Sequence, residues 1–366
     1  TEPVADNPAN PKYRPEDEPP VTYDSVLLPE EFRRFYEIDL SDNNSGGAYP
    51  VFSEFSGIPY SSKSPADASI AAGPAHIVAA VNSMFRIYDK EGNVLSEIRT
   101  KDWYSSLVSQ HHIFDPKVIY DHFSNRWVMI WAEGATHAKS DIFISVSDDG
   151  NPLGLWYNWA LPGNRNGTEY DSTWADFPGL GFDDKAIYVC TNQFSDAGAF
   201  KHAKLRIIPK SNLYAGSPGA VQWTDFWQIS SPSLTVARYA AFSIRPTIFH
   251  STRDSVYYFL WANNSGSRIT LYTLTNPVTK PVLKPNLIQV DSYEQVTGLA
   301  KQKDLSTRDV EAGTSHFKTE AVFLDGKIHA AHATKFSNTS NSSGIRYYEV
   351  DTDSLKLSAS MSWRSH

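Results

Sequence analysis

The chain has 366 residues, of which 41% are hydrophobic and 13% aromatic, and its mean hydropathy is −0.39. This composition indicates a soluble protein with a substantial core, and no run approaches the roughly 18 apolar residues that a membrane helix needs. A net charge of −8 and a pI near 5.8 argue against a nucleic-acid partner, because a polyanion requires a basic surface. A neutral or cationic ligand suits this charge better.

The first 27 residues are rich in proline and acidic side chains and poor in apolar ones. Such a segment cannot bury enough surface to fold alone, so we predict an extended arm over 1–27 and one domain over 28–366. Apolar residues from Val21 onward would anchor the arm on its own domain or on a neighbouring subunit. Pro29 is followed by acidic residues, which predicts a short helix beginning there.

The stretch 115–161 contains the pattern that the rest of the chain repeats. It has four short apolar runs, at 115–121, 126–132, 141–147 and 156–161. Gly, Asp, Asn or Pro residues bound each run, as expected for strands connected by tight turns. Four strands joined by hairpins form one blade of a β-propeller.

Five such modules follow one another, each with a polar opening residue, an apolar strand, a tight turn, a second strand and an alternating strand. The modules open at Asp67, Asp115, Asp176, Arg245 and His316. A repeat of about 50 to 70 residues with hardly any helical period predicts an all-β propeller of five or more blades. Residues 36–55 and 283–296 could supply further strands, and two packed β-sandwiches are the alternative architecture.

Three features bear on the compartment. Cys190 is the single cysteine and lies in an apolar run, so we interpret it as a core side chain and expect no internal disulfide. The chain starts at Thr1, which favours a processed end. Asn-X-Ser/Thr sequences indicate surface loops and are compatible with a secreted glycoprotein; they begin at Asn43, Asn166, Asn263, Asn338 and Asn341. We therefore expect an extracellular or cell-surface location.

Two modules carry a resemblance to a known group of proteins. The sequence Phe-Asp-Pro-Lys-Val-Ile-Tyr-Asp-His-Phe-Ser-Asn-Arg-Trp-Val at 114–128, with Ile-Ser-Val-Ser-Asp at 144–148, resembles a pattern in large, mostly uncharacterised exported bacterial proteins. Thr-Arg-Asp-Val at 307–310 and the run at 321–332 resemble it as well. The resemblance implies a secreted, propeller-like protein and assigns no catalytic residue.

In a propeller the innermost strand of each blade starts near the central channel, so the five opening residues should converge on one face. Asp67, Asp115 and Asp176, from consecutive modules, resemble the carboxylates of five-bladed glycoside hydrolases, where one acid protonates the leaving oxygen and another activates water or attacks. Those enzymes use a glutamate as the acid, and no glutamate opens a module here. Each aspartate could instead cap a turn through its own backbone.

Other chemistries use the same residues. A polysaccharide lyase would need a base, an acid and a cation that neutralises a uronate, and His112, His316 or Arg245 could serve. Asp67 and the other opening carboxylates could hold Ca²⁺, which prefers clustered oxygen ligands. His329 and His332 are poorly spaced for a metal pair, because residues three apart on a strand point to opposite faces.

Two classes of function remain open at the level of sequence. One is a secreted protein that binds or cleaves a glycan at the channel face, with Asp115, Asp176, Arg245 and His316 as candidate catalytic residues. The other is a non-catalytic surface or assembly protein whose N-terminal arm docks on a neighbouring subunit. Neither class implies nucleic acid or membrane insertion.

Overall fold

The computed structural model describes residues 54–59, 65–107, 112–215, 221–232, 238–296, 299–300, 310–311, 313–337 and 340–363. The predicted arm, the helix expected at Pro29 and the domain boundary between residues 27 and 28 lie outside these residues and stay predictions. Within the described part of the chain, no helix is long and apolar enough to cross a membrane.

Five antiparallel blades, each built from four consecutive strands, make up most of the described chain. The strands of the first two blades are β1 (Ser69–Ala72), β2 (Ile77–Val81), β3 (Met84–Tyr88), β4 (Val94–Arg99), β5 (Ile113–Asp121), β6 (Arg126–Thr136), β7 (Lys139–Ser147) and β8 (Trp156–Pro162). Two short strands, β9 (Arg165–Asn166) and β10 (Glu169–Tyr170), follow as a small hairpin.

The third blade consists of β11 (Trp174–Phe182), β12 (Ala186–Phe194), β13 (Phe200–Pro209) and β14 (Thr224–Trp227). After the pair β15 (Ser230–Pro232) and β16 (Arg238–Ala240), the fourth blade consists of β17 (Arg245–Phe249), β18 (Val256–Ala262), β19 (Gly266–Thr275) and β20 (Val282–Tyr293). After β21 (Leu299–Ala300) and β22 (Val310–Glu311), the fifth consists of β23 (Ala321–Leu324), β24 (Lys327–Ser337), β25 (Ser340–Asp351) and β26 (Lys356–Trp363). The described helices are α1 (Thr100–Trp103) and α2 (Lys210–Leu213).

The first strands of the blades lie side by side in chain order. β1 packs on β5 and β5 packs on β11. β11 pairs in parallel with β17 through Phe182 and Ile248, and β17 pairs in parallel with β23 through Thr247 and Ala321. Antiparallel blades whose innermost strands follow one another in this way form a β-propeller, which confirms the predicted fold class and rules out two facing sandwiches.

Apolar side chains fill the spaces between neighbouring blades. Between the first two blades the core includes Val78, Phe85, Trp127 and Trp131, all of them without solvent exposure. Most aromatic side chains of these strands therefore lie in the core, because both faces of the blades are buried. Cys190 lies in the core of the later blades, and burial raises the pKa of its thiol, as expected for an unreactive side chain.

One opening residue differs from its prediction in position. The innermost strand of the fifth blade begins at Ala321, and His316 lies in the turn that precedes it. His316 is buried there, with Nδ1 2.6 Å from the carbonyl oxygen of Ala262 at the end of β18. The polar residue thus bonds across to the fourth blade instead of starting its own strand.

Candidate functional site

Three aspartates from consecutive blades lie together where the innermost strands begin. Asp67 precedes β1, while Asp115 and Asp176 lie near the starts of β5 and β11. All three residues are partly exposed. The pKa of Asp115 is raised well above its usual range, first by burial, then by the negative charge of Asp176, and then by the charge of Asp67 and a hydrogen bond with it. Asp115 therefore retains its proton to a higher pH than an ordinary carboxyl.

The backbone at these positions is unusual in a consistent way. Asp67, Asp115 and Phe177 have φ values of 47°, 53° and 51°, in the left-handed region that non-glycine residues rarely adopt. β5 and β11 each carry a register shift at this point, between Phe114 and Lys117 and between Asp176 and Gly179. Bulges of this kind re-aim side chains, and here they occur at or beside both Asp115 and Asp176.

An asparagine in the first blade connects two of the acids. Asn82 follows β2 and donates a 2.7 Å hydrogen bond from Nδ2 to Oδ2 of Asp67. The backbone N–H of Asp115 donates to Oδ1 of the same Asn82 at 2.6 Å. In the third blade, the N–H of Phe177 donates to Oδ1 of Asp176 at 3.0 Å. The bonds from Asn82 and from the N–H of Phe177 orient the carboxyl groups of Asp67 and Asp176 with neutral donors.

Arg245 lies beneath the cluster. Its side chain is 1% exposed, and its guanidinium carbon is 3.7 Å from the centre of the Phe177 ring. Nη1 donates to the carbonyl oxygen of Pro178 at 3.2 Å, and Nε donates to that of Phe317 at 3.3 Å. Burial lowers the pKa of Arg245. Arg245 is thus buried against the strained turn at Phe177, and a catalytic role for it stays a prediction.

Glu320 is a site residue that the sequence pattern did not reveal. It lies just before β23, with Oε2 3.3 Å from Nζ of Lys117 and Oε1 3.9 Å from Nη1 of Arg245. Oε1 also accepts a 3.3 Å hydrogen bond from the N–H of Leu180. The second, third, fourth and fifth blades therefore meet around one carboxylate. The sequence pattern placed the start of the fifth module at His316, and on that placement no glutamate opens a module. Because β23 begins at Ala321, Glu320 is the residue immediately before the innermost strand of the fifth blade.

The histidines named as candidates lie in different surroundings. His316 is held between the fourth and fifth blades, and its ring contacts that of Phe242 at a centroid distance of 5.0 Å. His112 stacks on Phe114 beside the start of β5, also at 5.0 Å. His332 is buried, and burial lowers its pKa to about 4. A catalytic role for His316 stays a prediction.

The structure also bears on the expected cation. Within the described residues, no group of three or more His, Cys, Asp or Glu side chains has the arrangement that holds a metal ion. Asp67, the predicted Ca²⁺ ligand, bonds to Asn82 and to Asp115. Calcium binding at Asp67 stays a prediction.

The chain matches no protein-family model and no curated protein. Among solved structures, it is similar to a GH43 endo-arabinanase from Bacillus licheniformis, with 12% identity, a TM-score of 0.37, and coverage of 80% of this chain and 96% of that one. It is also similar to a GH43 β-1,3-galactosidase (13% identity, TM-score 0.40, 82% and 94% covered). An α-L-arabinofuranosidase from Lactobacillus brevis has 10% identity and a TM-score of 0.37, with 82% and 91% covered. No site residue is assigned from these similarities.

Proposed function

We propose that this protein is a secreted polysaccharide-active enzyme that hydrolyses a glycosidic bond at the aspartate cluster. The observation that carries the proposal is the raised pKa of Asp115 beside the negative charges of Asp67 and Asp176. Glycosidic hydrolysis needs a carboxylic acid that stays protonated next to a carboxylate that stays ionised. Like charges brought together from separate blades produce that difference in protonation.

The roles follow from the hydrogen bonds of each group. Asp115 would transfer its proton to the glycosidic oxygen as the carbon–oxygen bond breaks. Asp176 would accept a proton from water as the water oxygen bonds to the sugar carbon. Asp67, held by Asn82, would orient Asp115, and Arg245 would hold the Phe177 turn whose N–H positions Asp176. Proton loss from water and proton gain by the leaving group then balance.

Activity measurements on neutral and acidic polysaccharides test this proposal. We expect the wild-type chain to release reducing ends from at least one polysaccharide between pH 4 and 8, and Asp115→Asn and Asp176→Asn to release them at least about 100-fold more slowly. Asp254→Asn, at a fully exposed side chain, is the matched control and should retain full activity. Equal activity of the two site variants and the wild type would contradict the proposal. New reducing ends accompanied by an unsaturated uronate at the new non-reducing end would instead support the lyase mechanism, because hydrolysis leaves both products saturated.

A further inference from the structure

A cleft of about 310 Å³ lies at the outer part of the second blade. It is bounded by the segment after α1, the β6–β7 hairpin, the end of β8 and the β9–β10 hairpin. Its lining combines apolar, charged and hydroxyl-bearing side chains, among them Leu107, Glu133, Lys139, Asp141, Arg165 and Tyr170. Its volume is at the lower end of the range for small-molecule sites, roughly 300–1,000 Å³, and suits a ligand about the size of a sugar.

The cleft and the aspartate cluster lie at the same end of the blade. Ile113 pairs with Glu133, Glu133 pairs with Asp141, and Asp141 pairs with Pro162, so these residues form one row across the sheet. Asp115 is two positions from Ile113 on β5. Because neighbouring strands are about 4.8 Å apart, Asp141 lies roughly 10 Å outward from the strand that carries Asp115. An extended polysaccharide chain lying across this end of the second blade would therefore reach both the aspartate cluster and the cleft.

The rim of the cleft is a well-connected structure. Asn164 donates from Nδ2 to the carbonyl oxygen of His137 at 2.6 Å and to the hydroxyl of Tyr170 at 3.1 Å. The N–H of Gly167, between β9 and β10, donates to Oδ2 of the buried Asp225 at 3.0 Å. Tyr170 is nevertheless 64% exposed, with the Arg165 guanidinium 5.6 Å from its ring centre. A surface aromatic fixed in this way is preorganised to contact a ligand.

The polar groups are balanced in charge. Glu133 and Asp141 carry carboxyl groups, while Lys139 and Arg165 carry cations. Burial, together with the charge of Asp141, raises the pKa of Glu133 to about 7, so near neutral pH this carboxyl both donates and accepts hydrogen bonds. The set therefore favours neither a polyanion nor a polycation. It suits a neutral ligand that presents several hydroxyl groups and one apolar face.

We propose that this cleft is a distal subsite for a neutral sugar unit, which binds part of the polysaccharide while another part occupies the aspartate cluster. The inference rests on the proposed glycan-cleaving function. It adds that the substrate is a neutral polysaccharide long enough to span from the channel face to the outer part of the second blade. Short oligosaccharides would occupy the cluster alone and gain nothing from the cleft.

Binding experiments on the full chain test the subsite. Asp176→Asn slows turnover, and isothermal titration of this variant with gluco-, xylo-, arabino- and galacto-hexaoses and their disaccharides measures affinity. In that background, Tyr170→Ala and Glu133→Leu, which removes the hydrogen-bonding atoms of that side chain, should each weaken hexaose binding by tenfold or more and leave disaccharide binding unchanged. Leu155→Ala, at an exposed side chain at the opposite end of the same blade, is the control and should bind like the parent. In the active enzyme, the two cleft variants should raise KM for hexaoses without changing kcat.

The outcomes separate the two proposals. Cleavage by the wild type, with hexaose affinity and KM within twofold of the parent in both folded cleft variants, overturns the subsite and leaves the catalytic proposal standing. Hexaose binding that depends on Tyr170 and Glu133, without any cleavage, overturns the catalytic proposal and supports the subsite. If no hexaose binds or is cleaved, the subsite proposal is wrong, and the catalytic proposal is wrong as well if the wild type cleaves no acidic polysaccharide either. Thermal unfolding of each variant establishes that the protein compared is folded.

Discussion

The two ends of β5 carry aspartates in opposite environments. Asp121, at the end of the strand, is completely buried, yet its Oδ2 lies 2.5 Å from Nζ of Lys210 and accepts a 2.8 Å hydrogen bond from the Tyr214 hydroxyl. Its Oδ1 accepts hydrogen bonds from the backbone at Phe123 and Ser124. Asp115, at the start of the strand, faces two other carboxyl groups instead. One acid is fully compensated, while the other is crowded by like charge.

A second strand repeats the contrast and shows which property matters. Asp183, after β11, accepts hydrogen bonds of 2.8 Å from the Lys185 N–H, the Ala186 N–H and the Tyr188 hydroxyl. Burial raises its pKa too, so a raised pKa alone does not mark a functional acid. The surroundings separate the two cases, because Asp183 is surrounded by donors that hold the turn together. At the starts of β5 and β11, the aspartate cluster holds its carboxyl groups close together at a cost in stability. Functional sites commonly carry such a cost.

The largest expected effect comes from removing the crowded acid. If Asp115 is the proton donor, Asp115→Asn should lower kcat by roughly 10²–10⁴-fold, since a positioned acid contributes about that much. The melting temperature should stay the same or rise, because the substitution relieves repulsion from Asp67 and Asp176. Kinetics on the best polysaccharide, together with thermal unfolding, measure both effects. A drop in the melting temperature with unchanged kcat would contradict this prediction, because Asp115 would then have a structural role like that of Asp121.

The complementary change is Asp121→Asn, which should act on stability instead of activity. It leaves the buried Lys210 ammonium without its carboxylate, and breaking a buried pair in this way costs about 3–5 kcal/mol of unfolding free energy. Denaturant unfolding measures that loss, and kcat per folded molecule should not change. A loss below about 1 kcal/mol would contradict the view that this end of the strand is a structural anchor.

A smaller effect should appear in the pH dependence of activity after Asp67→Asn. The proposed mechanism needs protonated Asp115, so activity falls as the pH rises through the raised pKa of that carboxyl. Removing the charge of Asp67 lowers the pKa of Asp115, and the basic limb of kcat/KM should move to lower pH. If the pH profile of Asp67→Asn superimposes on that of the wild type, Asp67 does not influence the pKa of the proton donor. Asp254→Asn is the control.

The smallest effect is expected at an exposed ion pair. Nη2 of Arg253 lies 2.6 Å from Oδ1 of Asp353, but the aspartate side chain is 79% exposed. Solvent screens such pairs, so Asp353→Asn should change the unfolding free energy by about 0.2–1 kcal/mol at most. Denaturant unfolding beside Asp121→Asn makes the comparison direct. A loss of unfolding free energy as large as that caused by Asp121→Asn would mean that burial does not explain the stabilising effect of the Asp121–Lys210 pair.

Much of this architecture follows from local sequence. The inner and middle strands carry dense apolar runs bounded by turn residues, so the modules opening at Asp67, Asp115, Asp176 and Arg245 are predictable, as is their convergence. The outermost strands β4 and β26 are not, because an edge strand is half exposed and its pattern is weak. The stretch 283–296, expected to supply a strand, contains most of β20.

The site was only partly predictable for a related reason. The acids that open strands could be read in sequence, but Glu320 lies in a turn, and its role depends on Lys117 and Arg245, which are distant along the chain. The sequence pattern predicted that Arg245 faces the channel. Its burial depends on packing against Phe177, which the local sequence pattern does not indicate. The cleft at Tyr170 lies on the short β9–β10 hairpin between two modules, where no repeat pattern guides the interpretation.

The parallel pairing of β11, β17 and β23 has a mechanical consequence. These strands join three blades into one hydrogen-bonded sheet of 12 strands, while the first two blades form separate four-stranded sheets that are packed through side chains. Continuous hydrogen-bond ladders tend to open as one cooperative unit, whereas packed sheets can part individually. The aspartate cluster straddles that seam, with Asp67 and Asp115 on the separable blades and Asp176 on the continuous sheet. Small slippage between these units would change the spacing of the acids while every blade stayed folded.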